Sequence, residues 1–466
     1  NLLSISKDTE IGKKFDFKSI RDYSEFARRV PVSSYENYQN LIERSMKGEG
    51  NIFWPKPINW FAKSSGTTNA KSKFIPVSTD SLEDCHYAAG KDLLCMYLNN
   101  NENSNLFNGK NLRLGGSKEL YEENGTTFGD LSAILIDNMP LWAEFSSTPS
   151  NKVSLMSNWE YKMQAIVNET INENVTSLAG VPSWMLALLN NVLETTDNKT
   201  ILEIWPNLEV YFHGGVSFLP YLDQYKSIIP SKSFKYYEIY NASEGFFAIQ
   251  DRNNSNELLL MLDYGIFYEF IPMQTHGANT ETLIPLSQVK KGENYAIVIT
   301  TNSGLWRYKV GDTIMFTSTD PYRIKVTGRT KHFINVFGEE LIIENTDKAI
   351  NIATKKTKSE IVDYTVAPIF MEGKSKGAHE WIIEFKNPPK DLNYFGELLD
   401  NSLKSLNSDY EAKRYNNIAL NKPKIQSVKQ GLFYKWMKRN NKLGGQHKVP
   451  RLSNSRQFLE ELLKID

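Results

Sequence analysis

Apolar residues recur every three to four positions at Leu82, Cys85, Ala89, Leu93 and Met96. That period predicts a helix, with Thr79, Asp80 or Ser81 as its N-cap. Shorter helices are predicted over 23–29 and 35–47, and the apolar stretch 74–77 reads as a strand. The middle third alternates between the two periods. It predicts a helix over 181–193, a strand over 210–212 running into Gly214-Gly215, and a strand over 235–240 running into Asn241-Ala242-Ser243-Glu244-Gly245. Strands over 258–262 and 267–271, separated by Asp263-Tyr264-Gly265, are expected to form a hairpin. Further strands are predicted over 295–301 and 323–327. Beyond Gly328-Arg329-Thr330 the pattern shifts to helices over 343–354, 394–406 and 456–464, with strands over 362–369 and 380–385. The expectation is an α/β chain with a large domain over 1–327 and a smaller α+β domain over 328–466. Polar groups gather just past strand ends, where open α/β sheets place their ligands.

Composition narrows the classes. With 466 residues the chain is about three times a typical single domain. Forty per cent of residues are hydrophobic and 12% aromatic, enough for packed cores. Lys plus Arg equals Asp plus Glu at 54 each, so no net charge draws the chain to nucleic acid or an anionic membrane. No apolar run approaches the ~20 residues that span a bilayer, and the start shows no secretory leader. Cys85 and Cys95 lie ten apart on the predicted helix, roughly 15 Å, too far to bridge. A reducing cytoplasm is the expected location.

Five segments could carry chemistry. Ser64-Ser65-Gly66-Thr67-Thr68-Asn69-Ala70-Lys71-Ser72-Lys73 is a loop rich in donors, whose backbone N–H groups could nest phosphate oxygens. Its spacing is not that of a Walker A loop, and alone it reads equally as a polar surface turn. Tyr240-Asn241-Ala242-Ser243-Glu244 offers an aromatic face and a carboxylate for Mg²⁺. Gly311-Asp312, read as a strand-end corner, could clasp two ribose hydroxyls. Gly328-Arg329 could form a hinge that interrupts its strand, and Lys325 is a cation beside it. Leu443-Gly444-Gly445-Gln446-His447-Lys448 could hold Lys448 at a turn tip, able to offset phosphate charge. Each has a plain alternative as a turn, linker or surface cation. The six histidines show no zinc-ligand spacing. Neither a Gly-x-Ser-x-Gly elbow nor a dinucleotide fingerprint appears.

The order of these segments resembles that of adenylate-forming enzymes. In detail the chain is similar to their Gretchen Hagen branch, the acyl acid–amido synthetases. Gly304-Leu305-Trp306-Arg307-Tyr308-Lys309-Val310-Gly311-Asp312 looks like that branch's Gly-Leu-Tyr-Arg-Tyr-Arg-Val-Gly-Asp. Val30-Pro31-Val32 with Tyr35-Glu36, and Phe267-Tyr268-Glu269-Phe270-Ile271-Pro272, are also similar. The resemblance implies a large adenylate-forming domain of mixed and parallel sheets flanked by helices, and a small mobile C-terminal domain. Ser64, Ser65 and Thr67 would then line the triphosphate. Gly214, Gly215 and Val216, with Tyr240, Ala242 and Ser243, would meet adenine. Phe267 would face the nucleotide, Asp312 would hold the ribose, and Glu244 would sit by the α-phosphate and Mg²⁺. Lys325 and Lys448 would be nucleotide-facing lysines. Arg113, Met139, Trp142 and Trp184 are candidates for an acyl site. Position 68 is Thr where plant members commonly have Ser, and Gly328-Arg329 stands where they often have Arg-Arg.

The implied activity uses ATP and Mg²⁺ to convert a carboxylic acid to its acyl-AMP, then transfers the acyl group to an amine, such as an amino acid. Coenzyme A or a carrier thiol as acceptor is a rival reading, and a non-catalytic nucleotide- or acid-binding module is another. The expected partners are small molecules, without nucleic acid or membrane, and the expected state is a monomer or weak dimer.

Overall fold

The computed structural model describes the chain except residues 65–72, 116–119, 124, 157, 216–217, 220, 276–280, 331–332, 335–340, 370–376, 408–409, 412–413, 415–419, 441, 444–448, 454 and 466. A twelve-stranded sheet runs through residues 110–329 and is built in two styles. Five neighbouring strands are parallel: Ser147–Thr148, Lys110–Leu114, Val175–Gly180, Val210–Gly214 and Lys235–Ala242. Seven more continue the sheet with antiparallel pairings, from Gly245–Ile249 out to Ile266–Pro272 and Ile284–Pro285. A parallel sheet needs cover on both faces. On one face, Leu112, Leu114, Leu178 and Tyr211 pack with Ile166 and Leu189 of the helices Trp159–Thr170 and Pro182–Thr196. On the other, Phe212 and Tyr237 join the core that holds Leu93 and Tyr97 of the helix Ala88–Asn100. Pro182 sits where the helix start has no use for its N–H, and Asp197 ends that helix in the left-handed conformation.

The predicted helix over the 82–96 positions is present, but it is capped one residue earlier than expected. Ser78 accepts from the Ser81 N–H. Its stretch Leu82–Tyr87 is wound as a π-helix, and Cys85 and His86 are both buried there. Cys85 is a buried free thiol and Cys95 an exposed one.

Three expectations fail in instructive ways. The strands near 258 and 267 do not form a hairpin. Leu258–Leu260 pairs with Gly245–Ile249 and Tyr322–Arg329, whereas Ile266–Pro272 pairs with Asn294–Thr301 and Ile284–Pro285. The link between them is pinned in place, with Tyr264 donating to Asp92 at 2.7 Å and the Gly265 carbonyl accepting from Asn302 N–H. Gly311-Asp312 is not a strand-end corner but lies inside the strand Tyr308–Thr319. Opposite it the ladder jumps from Val298↔Lys309 to Ala296↔Thr313, a bulge that re-aims Asp312, and Gly311 takes φ +88 to make it. Gly328-Arg329 does not interrupt its strand either. The ladder runs on through Thr313↔Gly328 to Asp312↔Arg329.

Residues after 333 build their own core, with Ile350, Trp381, Phe395 and Leu399 at its centre. The helices Ile343–Thr357 and Leu392–Leu406 pack beside a sheet of Glu360–Ile369, Ala378–Asn387 and Lys424–Val428. This unit meets the rest through polar contacts, Arg451 Nη2 to the Tyr221 hydroxyl at 3.1 Å and Gln224 Nε2 to the Ile361 carbonyl at 3.1 Å. Tyr434 and Met437 also pack against the helix-covered core of the parallel half. Among the described residues, no helix is long and apolar enough to cross a membrane.

Candidate functional site

The bulge places Asp312 where two strands of the sheet converge. Its Oδ2 accepts from the Tyr240 hydroxyl at 2.7 Å and its Oδ1 from Arg329 Nε at 2.6 Å. Tyr240 and Asp312 are buried, while the Arg329 side chain keeps 40% of its surface exposed. This tilts the cluster toward solvent on the arginine's side. Glu244, four residues beyond Tyr240, lies in the turn between Lys235–Ala242 and Gly245–Ile249. Its carboxyl is pushed up to about 7, chiefly by burial. The Asp312 charge raises it further, while Arg329 and Lys73 pull it down. Among the described residues no other side chain donates a hydrogen bond to that carboxylate. Burial also drives the Tyr240 and Tyr308 phenols well above the usual range, with the Asp312 charge adding to the first and Glu244 to the second. Two carboxylates and two cations therefore share one site, and among the described residues no side chain hydrogen-bonds to one of the carboxylates.

The charges come from distant parts of the chain. Lys73 begins the strand that pairs with Trp60–Ser64, and its charge reaches Glu244. Lys73 Nζ also lies over the Tyr35 ring at 5.4 Å, and the Tyr35 hydroxyl accepts from Phe74 N–H at 2.9 Å. Gly214 ends the parallel strand beside Lys235–Ala242, in register with Ile239. A Cβ at 214 would come within 2.4 Å of the Ile239 carbonyl, so only glycine lets the strands approach here. Gly215 then turns with φ +79. Ala242 is half-buried and Ser243 buried, at the end of the strand that carries Tyr240. His86 is buried on the helix beside this turn, with its Nδ1 lacking a hydrogen-bond partner among the described residues. Burial brings its imidazole down to about 4, so it is neutral.

The site is fixed from behind by Arg307. Its guanidinium donates to both oxygens of Glu269 (2.8 and 2.7 Å) and to the Ala27 and Val30 carbonyls (both 2.7 Å). Tyr23 donates to Glu269 from the other side at 2.9 Å. Ser33 and Tyr308 bridge through their backbones, and the Tyr38 hydroxyl bonds to Trp306. The segments 30–36 and 304–312 are thus packed on each other. Gly304, at φ +87, lets the run 304–312 also pack close on Phe53, which a Cβ there would strike at 2.7 Å.

The structure therefore brings together Tyr240, Glu244, Asp312 and Arg329, with Gly214, Gly215, Ala242 and Ser243 alongside. Ser64 ends its strand at the base of the loop. Ser65, Thr67, Val216 and Lys448 lie outside the described residues. Other candidates do not join the cluster. Phe267 packs on Tyr23 (6.1 Å) and Phe26 (6.0 Å), on the same strand face as Glu269. The ring that leads toward Tyr240 is Tyr268 on the opposite face, through Phe247. Lys325 pairs with Met315, four residues and about 13 Å along the strand from Arg329. Trp184 is buried in the core on the helix-covered face of the parallel half. Arg113 and Met139 do meet, Nη1 to Sδ at 2.8 Å, while Trp142 stands nearby in sequence and half exposed. Sequence reasoning missed Lys73 and Tyr308 as neighbours of Glu244, and Arg329 as the ion partner of Asp312. The position of Tyr308 within the run 304–312 was the available signal.

Comparison with known proteins gives one consistent picture. Three family models match: GH3 family N-terminal domain over residues 1–234, GH3 family central domain over 259–329, and GH3 family C-terminal domain over 344–457. The indole-3-acetic acid-amido synthetase GH3.4 of Arabidopsis thaliana is 23% identical over 97% of this chain and 87% of its own length. The jasmonoyl–L-amino acid synthetase JAR4 of Nicotiana attenuata is 24% identical over 97% of this chain and 89% of its own. The solved structure of the acyl acid amido synthetase GH3.15 superposes with a TM-score of 0.81 at 18% identity, covering 99% of this chain and 92% of that one. A 2-hydroxyisobutyryl-CoA ligase in its postadenylation state shares the fold more distantly, with a TM-score of 0.61 at 12% identity, covering 99% of this chain and 90% of that one.

Proposed function

The chain belongs to the GH3 family, and from that premise we propose that it is an ATP-dependent acyl acid–amido synthetase, joining a small carboxylic acid to an amino acid through an acyl-adenylate. The observation that carries this reading is the convergence of Tyr240, Asp312, Arg329 and Glu244, drawn from separate strands and joined by Lys73 at the mouth of the hydroxyl-rich loop.

In this reading the Asp312 carboxylate accepts from the ribose hydroxyls. It has lone pairs to spare beyond those taken by Tyr240 and Arg329, since each oxygen presents two. Adenine lies against the Gly214-Gly215 corner, and the triphosphate extends toward Lys73. Glu244, a carboxyl without a side-chain donor among the described residues, suits the Mg²⁺ that accompanies ATP, which takes one or two carboxylates and completes its shell with phosphate oxygens. The ion would neutralise charge on the phosphates. The acid's carboxylate oxygen attacks the α-phosphorus in line and pyrophosphate leaves. The amine nitrogen then attacks the acyl carbonyl, loses a proton and expels AMP. Arg329 is placed to meet phosphate charge, and Lys448 would serve the same end from the C-terminal unit. We assign residues 1–327 to a large nucleotide- and acyl-binding domain and 328–466 to a small one that turns about Gly328-Arg329. The ion pair to Asp312 would tie that pivot to the nucleotide.

The acceptor is tested by incubating enzyme, Mg-ATP and an acid panel with either mixed amino acids or coenzyme A, and reading products by mass. Amides with AMP release are expected in the first arm and none of the thioester in the second. Thioester without amide would refute the reading.

A further inference from the structure

Three arginines are buried among the described residues, and two of them are neutralised in the usual way. Arg307 grips both oxygens of Glu269, and Arg414 grips both oxygens of Asp400 at 2.8 Å each. The third, Arg113, is 7% exposed and hydrogen-bonds to no carboxylate among the described residues. Its Nη1 rests on the Met139 thioether, a weak acceptor, and its Nη2 donates to the Asn151 side-chain oxygen. Its Nε is buried with no acceptor at all. Glu144 is the acidic group whose charge acts on it but makes no hydrogen bond to it; its Oε1 accepts from Asn151 Nδ2 at 2.8 Å. A desolvated guanidinium that makes no ion pair is costly, and proteins keep such groups where a ligand supplies the missing charge.

The surroundings fit a ligand. Leu112 and Leu114 turn to the helix-covered core, so Arg113 projects from the opposite face of the parallel half. Its cover is thin, since Met139 and Asn151 are each half-exposed. Beside them the short helix Leu141–Phe145 exposes Leu141, Trp142 and Phe145, an apolar wall. Arg113 pairs with Ala179, and Ala179 with Phe212, so two strand spacings put it about 10 Å across the sheet from the strand that ends at Gly214. That is too far for the carboxylate that attacks the α-phosphorus beside Glu244.

We infer that Arg113, with Asn151, forms a carboxylate subsite for a second carboxylate of the substrates, one that is not activated, which takes the place of the Met139 sulfur and engages Nε and Nη1 as a two-pronged pair. This rests on the proposed function and specifies its substrate class. Either the acid is dicarboxylic, or the acceptor amino acid docks its α-carboxylate here.

The test uses the full chain and its Arg113→Gln and Arg113→Lys variants. In acid-dependent pyrophosphate exchange, dicarboxylic acids are compared with monocarboxylic acids of equal length. In the complete reaction, amino acids are compared with their amides. Arg113→Gln should erase a preference of at least tenfold, expressed in KM, in one of the two comparisons, with KM for ATP unchanged and part of the preference kept in Arg113→Lys. Loss in the exchange assay assigns the carboxylate to the acid, and loss in the complete reaction assigns it to the acceptor. An equal change for all substrates, or none, overturns the subsite. Should the wild type exchange pyrophosphate with no acid, the proposed function fails, and thermal shift with glutarate still reads the subsite. A shift in wild type absent from Arg113→Gln upholds it, and no shift in either refutes it.

Discussion

The run 304–312 supplies one partner to each of two ion pairs of opposite construction, the other partners lying on the strands Ile266–Pro272 and Tyr322–Arg329. Arg307–Glu269 is sealed, with side chains 5% and 1% exposed and the guanidinium spread over a carboxylate and two carbonyls. Asp312–Arg329 is open, with 12% and 40% exposed and a single hydrogen bond between the partners. The sealed pair ties the N-terminal segment 23–30 to the sheet. The open pair sits on a bulge and leaves acceptor sites unfilled. One short motif therefore contains both a clamp for the scaffold and the point where the proposed function puts a ligand, and the difference lies in how completely each charge is satisfied.

That contrast can be broken in order of size. Arg307→Met strands the Glu269 carboxylate in the core, and loss of one partner from a buried pair costs about 3–5 kcal/mol. The urea midpoint should fall accordingly, and a midpoint unchanged within error would show that the pair is not a clamp. A smaller effect is expected at Glu244. Its carboxyl titrates near 7, against 4.5 when unperturbed. With the folded value raised, its contribution to stability is present below 4.5 and lost as pH rises through 7. If Glu244 holds Mg-ATP as proposed, binding needs its ionised form and should release a proton. Affinity should climb between pH 6 and 7, by up to about tenfold per unit, and level off above. Glu244→Gln should flatten that profile. An identical slope in the variant would assign the titration to another group.

The two pairs also differ in how well the sequence revealed them. Helical and strand periods located the helices over 23–29 and 392–406 and six of the twelve strands of the main sheet, because burial on one face leaves its period in the sequence. Pairing leaves no such mark. Strands near 258 and 267 read as neighbours because a turn-like tripeptide joins them, yet Tyr264 and Gly265 are held by Asp92 and Asn302 and the strands part. Gly311-Asp312 read as a strand end because a bulge and a turn call for the same residues. The motif order did point to Tyr240, Glu244 and Asp312 as one site. It could not show that Phe267 faces Tyr23 and Phe26, since a shift of one residue along a strand reverses the face. Nor could it show Arg113 without a carboxylate, because a missing partner is a property of three-dimensional packing.

The central claim is that the cluster around Asp312 binds the nucleotide, and calorimetric titration of Mg-ATP into Asp312→Ala tests it most directly. Losing charge-assisted bonds to the ribose should weaken binding about 10- to 100-fold, with thermal unfolding close to wild type. Undiminished ATP affinity in a folded Asp312→Ala protein would contradict it.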